Sequence, residues 1–193
     1  RYERHAPGEL LHLDVKKIGR IPPGGGKRFA PGFGETRSGP HSKKPVGVDP
    51  DGDRDTWRST ITPTCRGYAY VEVLADETGP TTAGFLKRAL AFFRAMGVRI
   101  RRVLTDNGWN YLSRTFKEVA FAHGVALKLT RPYRPQTNGK AEAFIKILQN
   151  EWAYARRYLS NEQRMAKLTH FMRYYNHRRP HGGIGGLVPA ARL

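Results

Sequence analysis

The sequence predicts an α/β fold, a mixed five-stranded sheet with helices on both faces. Three observations carry that expectation. Residues 57–63 and 68–75 are β-branched and aromatic runs flanking Arg66-Gly67, which reads as a hairpin. From Pro80 to residue 130, helical and strand patterns alternate as in βα units. Long helical patterns then close the chain from Gly139 onward. The predicted order is β, β, β, α, β, α, β, α, α.

Each element has a local cause. Residues 10–18 read as a buried strand, Leu10-Leu11-His12-Leu13-Asp14, with Lys16 and Lys17 after the acid. Residues 19–56 read as a long Gly/Pro-rich excursion, with Gly24-Gly25-Gly26 and Asp49-Pro50-Asp51-Gly52-Asp53. Pro80 opens a helix to about Met96, with Phe85, Leu86, Leu90, Phe92 and Phe93 as its apolar side, and Gly97 stops it. Residues 99–105 form the next strand. Thr115-Phe116-Lys117-Glu118 resembles a capping box for a helix ending near Gly124. Residues 125–130 are a short strand and 131–138 a polar, Pro-rich loop. A helix is expected from Gly139 to about Tyr158. Ser160 and Gln163 start another that reaches Asn176.

The 193 residues suffice for one domain with a proper core. The 34 Lys and Arg against 16 Asp and Glu give a net charge of +18, which favours a polyanionic partner such as DNA. Apolar stretches fall far short of the roughly 20 residues of a membrane helix. Cys65 is the single cysteine, so neither a disulfide nor a cysteine zinc cluster is available. A reducing intracellular compartment, the cytoplasm, is the expectation.

Three acids draw the chemistry. Asp14 and Asp106 end apolar runs, and 35 residues separate Asp106 from Glu142. Taken singly, the bland readings hold: a strand-end turn, an Asp-Asn-Gly turn, and a solvated helix face. Taken together, two strand-end carboxylates and one helical carboxylate are able to converge. Hard oxygen ligands suit Mg²⁺ or Mn²⁺. Two such ions about 3.5–4 Å apart support an in-line displacement at phosphorus.

At about 100° per residue, Ala141, Phe144, Leu148, Trp152 and Ala155 fall on the core side of the helix from Gly139. Glu142, Lys146, Gln149, Ala153 and Arg156 fall opposite, so the carboxylate heads a stripe of cations and amides suited to a phosphate track. In the preceding loop, Arg131, Tyr133, Arg134 and Gln136 mix cations with an aromatic that is able to stack on a base. Lys16, Lys17, Asn107, Asn138 and Lys140 complete the expected DNA contacts. The stripe Met165, Leu168, Met172 and Tyr175 reads as core or a partner-helix contact. Asp49–Asp55 fails the calcium-loop template, with Thr60 where a bidentate Glu belongs.

Asp14, then Leu104-Thr105-Asp106-Asn107-Gly108, then Arg131-Pro-Tyr-Arg-Pro-Gln-Thr-Asn-Gly-Lys-Ala-Glu142, resembles the D,D(35)E catalytic core of retroviral-type integrases. Within that group it is most similar to bacterial insertion-sequence transposases. Tyr174-Tyr-Asn-His-Arg-Arg-Pro-His181 and Pro189–Leu193 resemble the end of that core. The resemblance covers roughly residues 10–193. It implies a ribonuclease H-like fold, two Mg²⁺ or Mn²⁺ ions held by Asp14, Asp106 and Glu142, and cleavage and strand transfer of mobile-element DNA. It also implies a homo-oligomer on DNA, association with the bacterial nucleoid, and a DNA-binding region that precedes this chain. Trp109, Thr62-Pro63, Ala143 and Ile145 depart from the family pattern. They motivate one alternative, an inactive DNA-binding remnant; a nuclease of the same fold without joining activity is a third reading.

Overall fold

The computed structural model describes residues 6–21, 57–130 and 139–193, with the backbone alone described for 57–64. The first strand, β1 (Leu11–Gly19), is central. It pairs antiparallel with β2 (Trp57–Cys65) and parallel with β5 (Arg102–Thr105), which pairs parallel with β6 (Ala126–Leu129). On the far side of β2 lie β3 (Tyr68–Ala69) and β4 (Glu72–Leu74), both antiparallel to it. The sheet therefore has six strand segments where five strands were expected. The difference is a break at Tyr70-Val71 within the last strand of the hairpin, whose two halves both pair with β2. Arg66 and Gly67 both take positive φ (50° and 97°), the primed hairpin turn that matches sheet twist.

Side chains alternate across a strand, and the core divides accordingly. Leu11, Leu13 and Val103 join one cluster with α1 (Gly79–Ala95) and α3 (Arg114–Ala122) through Phe85, Leu86, Phe93 and Phe116. Ile18, Ala69 and Val71 join a second with Phe144, Leu148, Trp152, Phe171 and Tyr175. These last come from α4 (Gly139–Leu148), the turn after it, and α6 (Leu168–His177). Met165, Leu168 and Met172 belong to the same cluster, as their stripe predicts.

Several boundaries differ from the sequence reading, each for a visible reason. The cap of α3 is Ser113, whose hydroxyl accepts from the Phe116 N–H, two residues before the expected box. A short helix, α2 (Trp109–Leu112), fills the gap before it. The helix from Gly139 does not run to Tyr158. After Leu148 it becomes a π-helical turn, Gln149–Ala153, and stops. The wider turn rotates the residues beyond it, so Ala153 is buried beside Trp152 while Ala155 is exposed, the reverse of the α-helical count. Ser160 caps α5 (Asn161–Ala166) as expected, its hydroxyl accepting from the Gln163 N–H. The Gln163 side chain accepts from Leu159 rather than from the cap, and Lys167 separates α5 from α6.

Two asparagines tie the C-terminal helices to the sheet. Asn176, buried in α6, accepts from the Ala69 N–H (2.9 Å) and donates to the Ala69 carbonyl (2.8 Å). Asn161 does the same for Ile21, just after β1 (3.1 and 3.3 Å).

Candidate active site

The parallel register pairs Leu11 with Val103 and His12 with Leu104. Asp14 and Asp106 each lie two residues further on. By strand alternation Asp14 points to the same face as His12 and Ile18, the face on which α4 packs against β1 and β2. Glu142 stands exposed in the first turn of α4.

The Asp14 Oδ1 accepts from the Val15 N–H at 2.8 Å. The Asp106 Oδ1 accepts from the Gly108 N–H at 3.0 Å, closing an Asx turn. A side chain at Gly108 would collide with the Asn110 side chain (2.6 Å) and press on Asp106 (3.0 Å). The turn therefore depends on glycine there, and Gly108 also leads into α2.

Burial raises the Asp14 carboxyl from 3.8 to about 6. The negative charges of Asp106 and Glu142 push the same way, against the Val15 N–H and Lys16. The three acids thus share one electrostatic neighbourhood, with Asp14 the partly buried member. Within electrostatic reach of Asp14 and Asp106 is Tyr111, 2% exposed, whose phenol burial holds protonated, helped by Asp14, Asp106 and Glu77. Tyr111 and Glu77 were not singled out from sequence. The available signals were an aromatic five residues after Asp106 and an acid just before a helix cap.

The carboxylates do not form a finished cage. Among the described residues no group of three His, Cys, Asp or Glu side chains stands close enough to hold a metal ion. The donor set nonetheless fits a hard divalent cation in kind: three carboxylates whose mutual repulsion is felt at Asp14.

The expected DNA contacts fall into three groups. Lys16, Lys140, Lys146 and Arg156 are exposed around the acids' strand and helix, and Gln149 is half-buried. Lys17 pairs with Glu77 at 3.4 Å, and Arg156 sits over the Tyr158 ring at 5.2 Å. Asn107 donates to the Thr130 carbonyl at 3.1 Å, tying the ends of β5 and β6 together. Arg131, Tyr133, Arg134, Gln136 and Asn138 lie outside the described residues, as does the Asp49–Asp55 segment.

A five-position mixed sheet with parallel β1, β5 and β6, carrying acids at the end of β5 and within β1, is a ribonuclease H-like architecture. The chain belongs to the integrase core domain family: two models of that description match residues 4–135 and 123–189. It is similar in fold to a chain of the simian T-cell lymphotropic virus intasome, solved in complex with PP2A regulatory subunit B56 gamma. The TM-score is 0.61 at 14% identity, over 91% of this chain and 50% of that one. This chain thus spans half the length of the one it matches. Among the described residues no helix is long and apolar enough to cross a membrane.

Proposed function

We propose that this chain is the catalytic core of a DNA transposase or integrase, of the bacterial insertion-sequence kind. In this reading it cleaves the 3′ ends of mobile-element DNA and transfers them to target DNA by direct phosphoryl transfer. One observation carries the reading: Asp14, Asp106 and Glu142 reach one neighbourhood from three elements in a chain of net charge +18.

Asp14, Asp106 and Glu142 are the residues that would hold two Mg²⁺ or Mn²⁺ ions. When bound, such ions activate the attacking oxygen and stabilise the leaving one. The chain's own contribution is positioning and charge. The Val15 and Gly108 N–H groups fix one oxygen of each aspartate and so orient the other. Glu142, exposed on the first helical turn, has the reach to close the group. Lys16, Lys140, Lys146 and Arg156 would neutralise phosphates and Gln149 would hydrogen-bond them, with Arg131, Tyr133, Arg134, Gln136 and Asn138 contributing from the sequence segment before α4. No protein nucleophile is needed. Joining two ends calls for an oligomer on DNA, and the site of action would be the bacterial nucleoid in the cytoplasm.

The open arrangement of the three carboxylates favours a second reading, an inactive remnant that only binds DNA. A short duplex carrying the element's terminal repeat, incubated with the chain and Mg²⁺ or Mn²⁺, separates these readings. Cleavage with a joined product supports the transposase. Cleavage without joining leaves a nuclease, and salt-sensitive binding without any product leaves the remnant.

A further inference from the structure

The acids occupy one pole of the sheet. The opposite pole is basic. Arg101 immediately precedes β5 and Arg102 begins it, whereas Asp106 follows its other end, about 13 Å away at 3.3 Å per residue. Val98, Arg99, Ile100 and Arg101 alternate buried and exposed, so both arginines project from an extended segment whose apolar residues enter the core. Their spacing on an extended chain is about 7 Å, comparable to that of successive phosphates along a nucleic-acid strand.

Gly8 gathers more of these cations into one place. Its N–H donates to the Cys65 sulfur at 3.4 Å, and its carbonyl accepts from the Arg101 N–H at 2.8 Å. Its α-carbon lies against Arg99, because a Cβ there would come within 2.1 Å of the Arg99 carbonyl oxygen. The backbone of Arg66, next to Cys65, is therefore brought to the same end of the sheet as Arg99 and Arg101, with its Nε buried. Arg94 and Arg99 line one narrow cleft with His123. Arg66, Arg94, Arg99, Arg101 and Arg102 form no ion pair among the described residues. The bland account is that they complement the C-termini of α1 and α3, which end here. Two half-charges do not balance five guanidinium groups, and Arg99 and Arg101 lie beyond the helix they would serve.

We infer that this pole is a second DNA-binding surface, engaging the backbone of a duplex segment other than the one presented to the acids. The inference goes beyond the proposed chemistry and does not depend on it. Guanidinium groups bind phosphate oxygens through two parallel hydrogen bonds, and a row of them reads backbone rather than sequence.

The test uses the full chain with a 20-base-pair duplex of arbitrary sequence in EDTA, where the uncompensated acids repel phosphate. Affinity is measured against salt. Replacing both residues in R99Q/R101Q is expected to weaken binding at least tenfold. It should also flatten the slope of log affinity against log salt by about 1.8, at roughly 0.9 for each phosphate left without its arginine. R99K/R101K should restore most of that slope. Thermal melting shows whether R99Q/R101Q is folded; if it is not, Arg94→Gln, on the exposed last turn of α1, takes its place with half the effect. An unchanged slope in the folded variant overturns the inference. So does arginine-dependent binding that prefers single-stranded RNA to the duplex. Strand-transfer activity is not read at any point, so failure here is distinguishable from failure of the proposed reaction.

Discussion

Asp14 and Asp106 sit at equivalent positions of adjacent parallel strands, each two residues past the paired couple His12 and Leu104. The β1–β5 register therefore sets their juxtaposition before any loop is considered. Glu142 is added by α4 crossing the same face.

Removing one carboxylate should separate chemistry from binding. Asp106→Asn and Glu142→Gln are expected to lower product formation at least a thousandfold, a loss of about 4 kcal/mol in the transition state. Duplex affinity measured without divalent metal should stay within a few-fold of the native value. A variant that cut DNA at the native rate would remove that residue from the site.

The Asp14 carboxyl makes stability depend on pH with a definite sign. Its pKa is about 6 in the fold and 3.8 in the unfolded chain. The folded state thus holds the proton more tightly, and this contribution is fully present below pH 3.8 and lost as pH rises through 6. In EDTA the native protein should lose up to about 3 kcal/mol relative to Asp14→Asn between about pH 4 and 7. Parallel denaturant titrations of the two proteins measure that difference. Added Mg²⁺ should raise the native melting temperature above about pH 6 and have little effect at about pH 5, where the proton competes with the cation.

Asn176→Ala should cost about 2–4 kcal/mol, because it strands a buried N–H and a carbonyl of Ala69 at once. Asn176→Asp keeps the acceptor alone and should not rescue. Urea midpoints of the two variants provide the check.

Gly8→Ala should destabilise by about 3 kcal/mol or more. The position has φ +82°, and the new methyl meets the rigid Arg99 carbonyl at 2.1 Å. Calorimetry of the purified variant, or its failure to accumulate in soluble form, is the readout.

Much of this fold was legible from periodicity and punctuation. The Arg66-Gly67 turn, the helix opened by Pro80 and stopped near Gly97, and the Met165–Tyr175 stripe all lie where local patterns place them. These signals are local, carried by residues within a few positions of one another. What escaped depends on distant partners or on hydrogen-bond geometry. The π turn at Gln149–Ala153 leaves no mark in the apolar spacing until Ala153 and Ala155 exchange roles. The cap at Ser113 was hidden by a neighbouring Thr-x-x-Glu that fits a capping box equally well. At the site, the three acids stood out by spacing and family pattern. Tyr111 did not, because only its burial in the core against Phe116, within electrostatic reach of Asp14 and Asp106, gives it a place there. Asn107, expected to contact DNA, is exposed and also donates to the Thr130 carbonyl, a bond between strand ends that local pattern does not reveal.

The clamp on Ala69 also bears on how the chain matures. Short β3 borders the sheet, and Asn176 occupies the outward N–H and carbonyl that another polypeptide would otherwise recruit. That guard lies 107 residues downstream. A nascent or truncated chain ending before α6 leaves that border open and should polymerise through it, whereas in the finished chain Asn176 blocks this one route.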